Sequence, residues 1–206
     1  SARAHDWFAG PPTLLVNNAG VGLGGRRLED IRMEDWQWIL GVNLWGVIHG
    51  CHVFVPQLRA AAYGAVLNVA SAASFGAAPM MGAYNATKAA VLAMSETLHA
   101  ELAGSGVQVS VLCPTFVKTD IIRNARLPGE HGARAQAMMD RQGMAPDVLV
   151  QRALDGLDHG RIHLLPQADA RVSWLIKRMA PGLFTRGMGL ANRYLPAANE
   201  TGEGDA

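Results

Sequence analysis

The sequence predicts an α/β fold in which a parallel sheet is covered by helices on both faces, and two observations predict it. Short apolar runs alternate along the chain with long helical stretches, and the runs close in polar, glycine- or proline-containing turns. Residues 13–17 form the first run and deliver a glycine-rich turn, as a buried parallel strand delivers a loop at its carboxyl end. A helix is expected over residues 33–61, a second strand over 65–70, and an Ala-, Leu- and Met-rich helix over 83–103, stopped by Gly104-Ser105-Gly106. Residues 107–113 give a third strand bounded by Pro114, residues 146–157 a further helix, and residues 161–165 a last strand. This alternation implies right-handed crossovers.

Residues 118–145 mix Arg, Gly, Met and Pro and read as an excursion from the core. Residues 168–194 read as a helical tail broken at Pro181-Gly182, in which the amphipathic stretch 171–179 has three possible uses: packing on a subunit, capping a pocket, or touching a membrane. Residues 197–206 are polar and acidic and are expected to be disordered. The sequence shows no internal repeat.

With 206 residues, half of them hydrophobic, the chain is long enough for one domain with a sizeable core. A net charge of +1 gives no electrostatic case for nucleic acid or a membrane surface. Cys51 and Cys113 lie in apolar runs without metal-ligand spacing and read as free thiols of a reducing, cytoplasmic compartment. No run of eighteen apolar residues occurs, so stable membrane insertion is not expected; residues 42–55 come nearest but carry Asn43, His49 and His52. His49 with His52, and His159 with His163, have ligand-like spacing but no third ligand nearby, so no metal site is expected.

Tyr84 and Lys88 stand four residues apart on the predicted helix 83–103 and therefore share one face. Making phenolate at neutral pH costs on the order of 4 kcal/mol, a cost that a nearby ammonium reduces. Taken alone, such a pair is an ordinary surface pair. It is accompanied by Asn17-Asn18-Ala19-Gly20 after the first strand, by Asn43 on the following helix, by Ser71 thirteen residues before Tyr84, and by Pro114-Thr115-Phe116-Val117-Lys118-Thr119 after the third strand. Ser71 ends the run 65–70, which puts its hydroxyl at the carboxyl edge of the sheet, where open α/β sheets bind ligands. Ser74, ten residues before Tyr84, is the competing candidate.

This ordered set resembles the short-chain dehydrogenase/reductase family over residues 12–166. The resemblance implies a Rossmann-like doubly wound parallel sheet and an NAD- or NADP-dependent oxidoreductase that interconverts a secondary alcohol and a ketone. It implies Tyr84 as general acid/base, Ser71 holding the substrate oxygen, Lys88 lowering the tyrosine pKa and binding ribose hydroxyls, and Asn43 holding a water in a proton relay to Lys88. Asn17, Ala19 and Gly20 are implied to line the cofactor together with Tyr84, Lys88, Pro114, Val117 and Thr119. Residues 118–145 are then a substrate lid, residues 168–195 a helical tail to a domain of residues 1–196, and the enzyme a homodimer or homotetramer. Thr115 stands where the family has glycine, which puts the backbone approach at that point in question.

Gly20-Val21-Gly22-Leu23-Gly24-Gly25 spells the GxGxxG of a phosphate-binding turn, but such a turn needs a helix opening at once and an acidic residue about twenty positions on. Neither is present, and the segment reads as a loop after a strand. The family's opening strand and TGxxxGxG turn are not found upstream of Asn17. The sequence is therefore expected to be the carboxyl-terminal part of a longer protein, with its sheet incomplete on the amino-terminal side. An inactive fragment acting by association is the alternative function; a sugar-nucleotide epimerase or dehydratase, which shares Ser and YxxxK, is a third. The basic residues Lys118, Arg123, Arg126, Arg134 and Arg141 read as solvated faces before they read as a site for an anionic substrate.

Overall fold

The computed structural model describes Gly10 and residues 12–129 and 131–193. Residues 1–10, which from the sequence read as the end of a helix running into a loop, lie outside them except for Gly10, and so do residues 197–206, expected to be disordered. Four parallel strands, β1 (Leu14–Asn17), β2 (Gly64–Val69), β3 (Val107–Leu112) and β4 (His163–Leu164), lie side by side in sequence order. Leu14 pairs with Ala65, Gly64 with Val107, and Val111 with His163.

The helices are α1 (Met33–Leu40), α2 (Gly46–Ala61), α3 (Ala73–Gly76), α4 (Gly82–Glu101), α5 (His131–Gln142), α6 (Pro146–Asp158), α7 (Ala168–Met179) and α8 (Pro181–Asn192). One face of the sheet packs against α2 and α4. There Val55 and Leu58 meet Val66, Val107 and Val109, while Val47, Val91 and Leu92 meet Val111 and Cys113. The other face is covered by α6, whose Ala153 packs with Leu67, Leu112 and Leu164. This cover does not extend over β1, where Leu14 and Val16 are 39% and 46% exposed.

The expected single helix 33–61 is continuous, but a π-helical turn at Gly41–Trp45 joins α1 to α2. An extra residue in one turn rotates the side chains it carries relative to an α-helix, and such turns collect at functional sites. The stretch Met33–Ala61 is long and apolar enough to cross a membrane by length and composition. It packs as a core helix through Ile39, Val47, Val55 and Leu58 and carries the buried carboxamide of Asn43.

The structure corrects three expectations of detail. Residues 118–145 are not wholly outside the core, because α5 inserts Met139, which is 5% exposed. The last strand is two residues long rather than five, and the Arg161 carbonyl accepts from the Ser110 hydroxyl instead of a ladder amide. The segment holding Ser74 is the four-residue helix α3, not a loop. The tail breaks as expected, at Ala180 before Pro181.

A polar rung crosses the buried side of the sheet. Asn17 Nδ2 donates to Asn68 Oδ1 at 2.7 Å, Asn68 Nδ2 to Ser95 Oγ at 2.9 Å, and Ser95 Oγ to the Val91 carbonyl at 2.7 Å. Buried polar groups are tolerated when each finds a partner, and this rung joins β1, β2 and α4. It requires α2 to pass close above Asn17, and Gly50 permits this: a methyl there would collide with the Asn17 carboxamide. Gly50→Ala is expected to cost about 1–3 kcal/mol by overpacking against a group that cannot yield without losing its hydrogen bonds. Thermal or denaturant unfolding checks this, and an unchanged midpoint would contradict it.

Candidate active site

The carboxyl ends of β1, β2 and β3 place residues 17–20, 70–71 and 113–119 along one edge of the sheet. Above them α4 carries Tyr84 and Lys88 one turn apart, both buried, at 9% and 3% exposure. The Lys88 ammonium donates to the Val69 carbonyl at 2.9 Å and lies 5.9 Å from the centre of the Tyr84 ring. Gly20 closes the space below it: a methyl on Gly20 would stand 3.4 Å from Lys88 Nζ and 3.5 Å from Asn43 Oδ1. Lys88, Asn43 and Gly20 therefore meet at one point.

Asn43, fully buried on the π turn, makes three hydrogen bonds. Its Oδ1 accepts from the Val21 amide at 2.8 Å, and its Nδ2 donates to the Val21 carbonyl at 3.0 Å and to Thr87 Oγ1 at 3.3 Å. Thr87 Oγ1 in turn donates to the Tyr84 carbonyl at 2.8 Å. Asn43 thus satisfies both backbone groups of the Val21 loop and stands beside Lys88 at Gly20. Thr87 was missed by the sequence reading; its position three residues after Tyr84, where a hydroxyl bonds back to a helix carbonyl, was the available signal.

The Ser71 hydroxyl accepts from the Ala73 amide at 3.1 Å and donates to the Pro114 carbonyl at 3.5 Å, and it interacts with the Tyr84 side chain. Its competitor turns away: Ser74 Oγ donates to the Ser71 carbonyl at 2.5 Å and lies 3.8 Å from the buried Cys113 sulfur. Burial pushes the Tyr84 phenol above its ordinary value, with the Ser71 hydroxyl opposing. Burial also pulls the Lys88 ammonium down to about 8, with Cys113 opposing. The net shift of the phenol is upward because loss of hydration dominates it, and the Lys88 ammonium, 5.9 Å over the ring and bonded to a carbonyl, is not among its causes.

Of the residues implied to line a cofactor, Ala19 is exposed and Gly20 half-buried. The Asn17 side chain is taken up by the polar rung, which leaves its backbone to face the edge. Pro114 directs its carbonyl to the Ala72 amide at 2.8 Å. Val117 is bridged to Met144, and Thr119, exposed, donates to the Val117 carbonyl at 3.4 Å. A cleft of about 580 Å³ borders Thr119 together with Lys118, Asp120, Arg123, Gln136 and Asp140; Tyr84 and Lys88 do not line it. Thr115 needs no glycine-only backbone. Its amide donates to Gln167 Oε1 at 3.2 Å and its hydroxyl to Asp169 at 3.3 Å, which turns the side chain toward α7.

The glycine-rich segment has a use different from phosphate binding. No helix opens after it; instead Leu23 bridges Arg126, with the Arg126 amide donating to the Gly22 carbonyl at 3.0 Å. Gly22 and Gly24 admit Ala125 and Leu127 of the lid at contact distance, and Gly25, at φ +76°, turns the chain beneath Pro128. Arg126 then locks the bridge. Its guanidinium lies 2.6 Å from the buried Asp35 carboxylate and 4.1 Å above the Trp38 ring, while Arg32 holds the other carboxylate oxygen at 3.2 Å. Leu23 packs with Tyr84, so the latch ties residues 125–127 to the wall around Tyr84. The paired histidines serve elsewhere, His163 on Glu96 at 2.7 Å and His159 on the Asp155 carbonyl at 2.6 Å.

The pattern that defines short chain dehydrogenases matches residues 4–128. The C alpha-dehydrogenase of Sphingobium sp. is 32% identical over 186 residues, 82% of this chain and 61% of that protein. The D-beta-hydroxybutyrate dehydrogenase of Rhizobium meliloti is 33% identical over 141 residues, 68% of this chain and 53% of that protein. The crystal structure of a short chain dehydrogenase/reductase from Burkholderia phymatum in complex with NAD superposes with a TM-score of 0.78 at 31% identity, covering 88% of this chain and 70% of that one. The chain belongs to the short chain dehydrogenase family, an oxidoreductase family, and has its Rossmann-like α/β fold. It spans between half and two thirds of the length of these two curated relatives.

Burial alone would raise the Asp35 carboxyl, but the Arg126 and Arg32 guanidiniums outweigh it and hold it below 3.8. A depressed carboxyl contributes stability above its unfolded pKa and loses it as pH falls through the folded value, so the latch weakens only in acid, below about pH 4. Asp35→Asn should lose about 1–3 kcal/mol at neutral pH and remove this acid transition. Amide exchange at Gly24 and Arg126 reads it; equal protection in the variant would contradict the latch.

Proposed function

We propose that this chain carries the proton-transfer site of an NAD- or NADP-dependent dehydrogenase/reductase that interconverts a secondary alcohol and a ketone. The observation that carries the reading is that Tyr84, interacting with Ser71, stands one turn from Lys88, which meets Asn43 above Gly20 at the carboxyl edge of the sheet. The residues present fit the nicotinamide–ribose half of a dinucleotide: Gly20 leaves a space beneath Lys88 that a methyl would fill, and Ala19 and Thr119 stand open at the edge. Ala19, Gly20, Pro114, Val117 and Thr119, with the Asn17 backbone, would hold that half, and Lys88 its ribose hydroxyls. When bound, the dinucleotide supplies or accepts the hydride.

The chain's own residues then handle the proton. In reduction the neutral Tyr84 phenol, favoured by burial, gives its proton to the carbonyl oxygen while Ser71 donates a hydrogen bond to the same oxygen. In oxidation the proton returns to Tyr84 and would leave by way of Lys88 and a water held by Asn43. The names of the two curated relatives support an alcohol or ketone substrate. The lid of residues 118–145 would enclose it, and the helical tail of residues 168–195 would complete a domain of residues 1–196. Exposed small residues along α4, Ala86, Ala89, Ala93 and Ala100, support a homodimer or homotetramer. The unpaired thiols of Cys51 and Cys113 support the cytoplasm.

A second reading, an association module without catalysis, is favoured by the exposure of Leu14 and Val16 on the edge strand β1. Dinucleotide titration of the chain, followed by turnover of Tyr84→Phe, separates the two. The catalytic reading expects micromolar binding retained in the variant and a rate loss of about 10²–10⁴-fold. Turnover above a tenth of the parent would overturn the role of Tyr84, and absence of dinucleotide binding would favour association.

A further inference from the structure

Helices α7 and α8 carry a surface that the redox site does not use. Val172, Leu175, Ile176 and Met179 recur at i, i+3, i+4 and i+7 on α7 and are 56%, 61%, 41% and 78% exposed. Beyond the break at Ala180, Leu183 and Leu190 continue the apolar surface at 70% and 56% exposure. This is the outer side of α7. Its inner side is occupied by buried Ala170 and by Trp174, which packs edge-on against Phe75 at 5.0 Å and beside His163 at 4.8 Å.

Charge on the two helices is one-sided. Arg171, Lys177, Arg178, Arg186 and Arg193 face a single acid, Asp169, so residues 168–193 carry five positive charges and one negative, a net +4 in a chain whose total is +1. Asp169 is committed to the Ala170 amide and the Thr115 hydroxyl. Among the described residues no carboxylate pairs with the five cations. Arg171 donates to the carbonyls of Leu165 and Pro166, Arg178 stacks on Trp174 at 4.6 Å, and Lys177 lies 5.5 Å from the Phe184 ring centre and donates to Thr185. Arg171 and Arg178, and again Arg186 and Arg193, are spaced by seven, two helical turns apart alongside the apolar residues.

Three kinds of occupant differ in what they satisfy. A second copy docked through the same face would set arginine against arginine, because a two-fold contact places like surface on like surface. A nucleic acid would pair with the arginines and leave six large apolar side chains in water. An anionic lipid surface takes both, burying the leucines, valine, isoleucine and methionine at the acyl boundary while phosphates meet the arginines.

We propose that α7 and α8 form a peripheral docking face for a membrane surface rich in anionic lipid. The face lies opposite the α7 side that packs on α3 through Trp174 and Phe75. The inference does not depend on the chain being catalytically active.

Sedimentation of the 206-residue chain with vesicles tests it, comparing phosphatidylcholine alone with phosphatidylcholine mixed with phosphatidylglycerol. Binding to the anionic vesicles should be at least about tenfold tighter and weaken with salt, each arginine contributing roughly fivefold. Met179→Glu combined with Leu183→Glu should abolish binding, and Arg178→Glu combined with Arg186→Glu should weaken it more than about tenfold. Met179 and Leu183 face solvent, so the first pair should leave the melting temperature unchanged, while the second, which gives up the stacking of Arg178 on Trp174, should lower it only slightly; if the first pair unfolds the chain, Leu190→Glu probes the same face. Equal binding to the two vesicle types, binding to neither, retention by the folded glutamate variants, or a homodimer that those variants dissociate would overturn the proposal.

Discussion

Asn43 bonds segments far apart in sequence, and the geometry of the reactive edge depends on it. Its carboxamide takes both backbone groups of Val21, at 2.8 and 3.0 Å, and reaches Thr87 on α4 at 3.3 Å. Gly20 precedes Val21, so the backbone beneath the Lys88 ammonium is set by the same clamp. Leu23 follows two residues on, so the bridge that seats the lid begins from a fixed point. The π turn makes this possible by directing residue 43 inward toward the loop and α4 together. An apolar residue at 43 would leave the Val21 amide and carbonyl without partners in the interior, where each unsatisfied group costs about 1–3 kcal/mol.

What the clamp holds is costly to bury. Lowering the Lys88 ammonium from 10.5 to about 8 corresponds to a penalty on the order of 3 kcal/mol at neutral pH. The Val69 carbonyl at 2.9 Å offsets part of it. Burial also pushes the neighbouring Tyr84 phenol above its ordinary value, so it is protonated near neutrality. Such a site persists only if its surroundings are rigid. The Asn17–Asn68–Ser95 rung fixes the strands below, and the Asp35–Arg126–Trp38 latch fixes the lid at the side. The fold thus spends stability at the edge of the sheet and recovers it in well-satisfied polar contacts one layer away.

The sheet was largely legible in the sequence because its three longer strands are mostly apolar runs closed by turns. β4 was overestimated, since the residues around it are apolar enough to continue a strand that the Ser110 hydroxyl interrupts. α3 is four residues long, too short for helical periodicity to register, and the π turn leaves no mark on the apolar pattern. The co-location of Tyr84, Lys88, Ser71 and Asn43 followed from motif order. The direction of the tyrosine shift did not, because spacing reports which groups are neighbours and not how far water is excluded. Asn17 shares the strand parity of Leu15, which packs toward α2, so its inward side chain was readable from alternation and was masked by the motif that contains it. Asp35 and Arg126 are 91 residues apart, a pairing that no local pattern reveals.

The central claim, that Asn43 organises the reactive edge, is tested most directly by hydrogen exchange at the Val21 amide. This amide lies in a loop outside any helix or strand ladder, and its only hydrogen bond among the described residues is to the Asn43 side chain. The account predicts strong protection in the parent chain, comparable to the strand amides of β2, and loss of that protection in Asn43→Ala while the β2 amides remain protected. Exchange of Val21 at the rate of an open loop in the parent, or protection that survives the substitution, would contradict it.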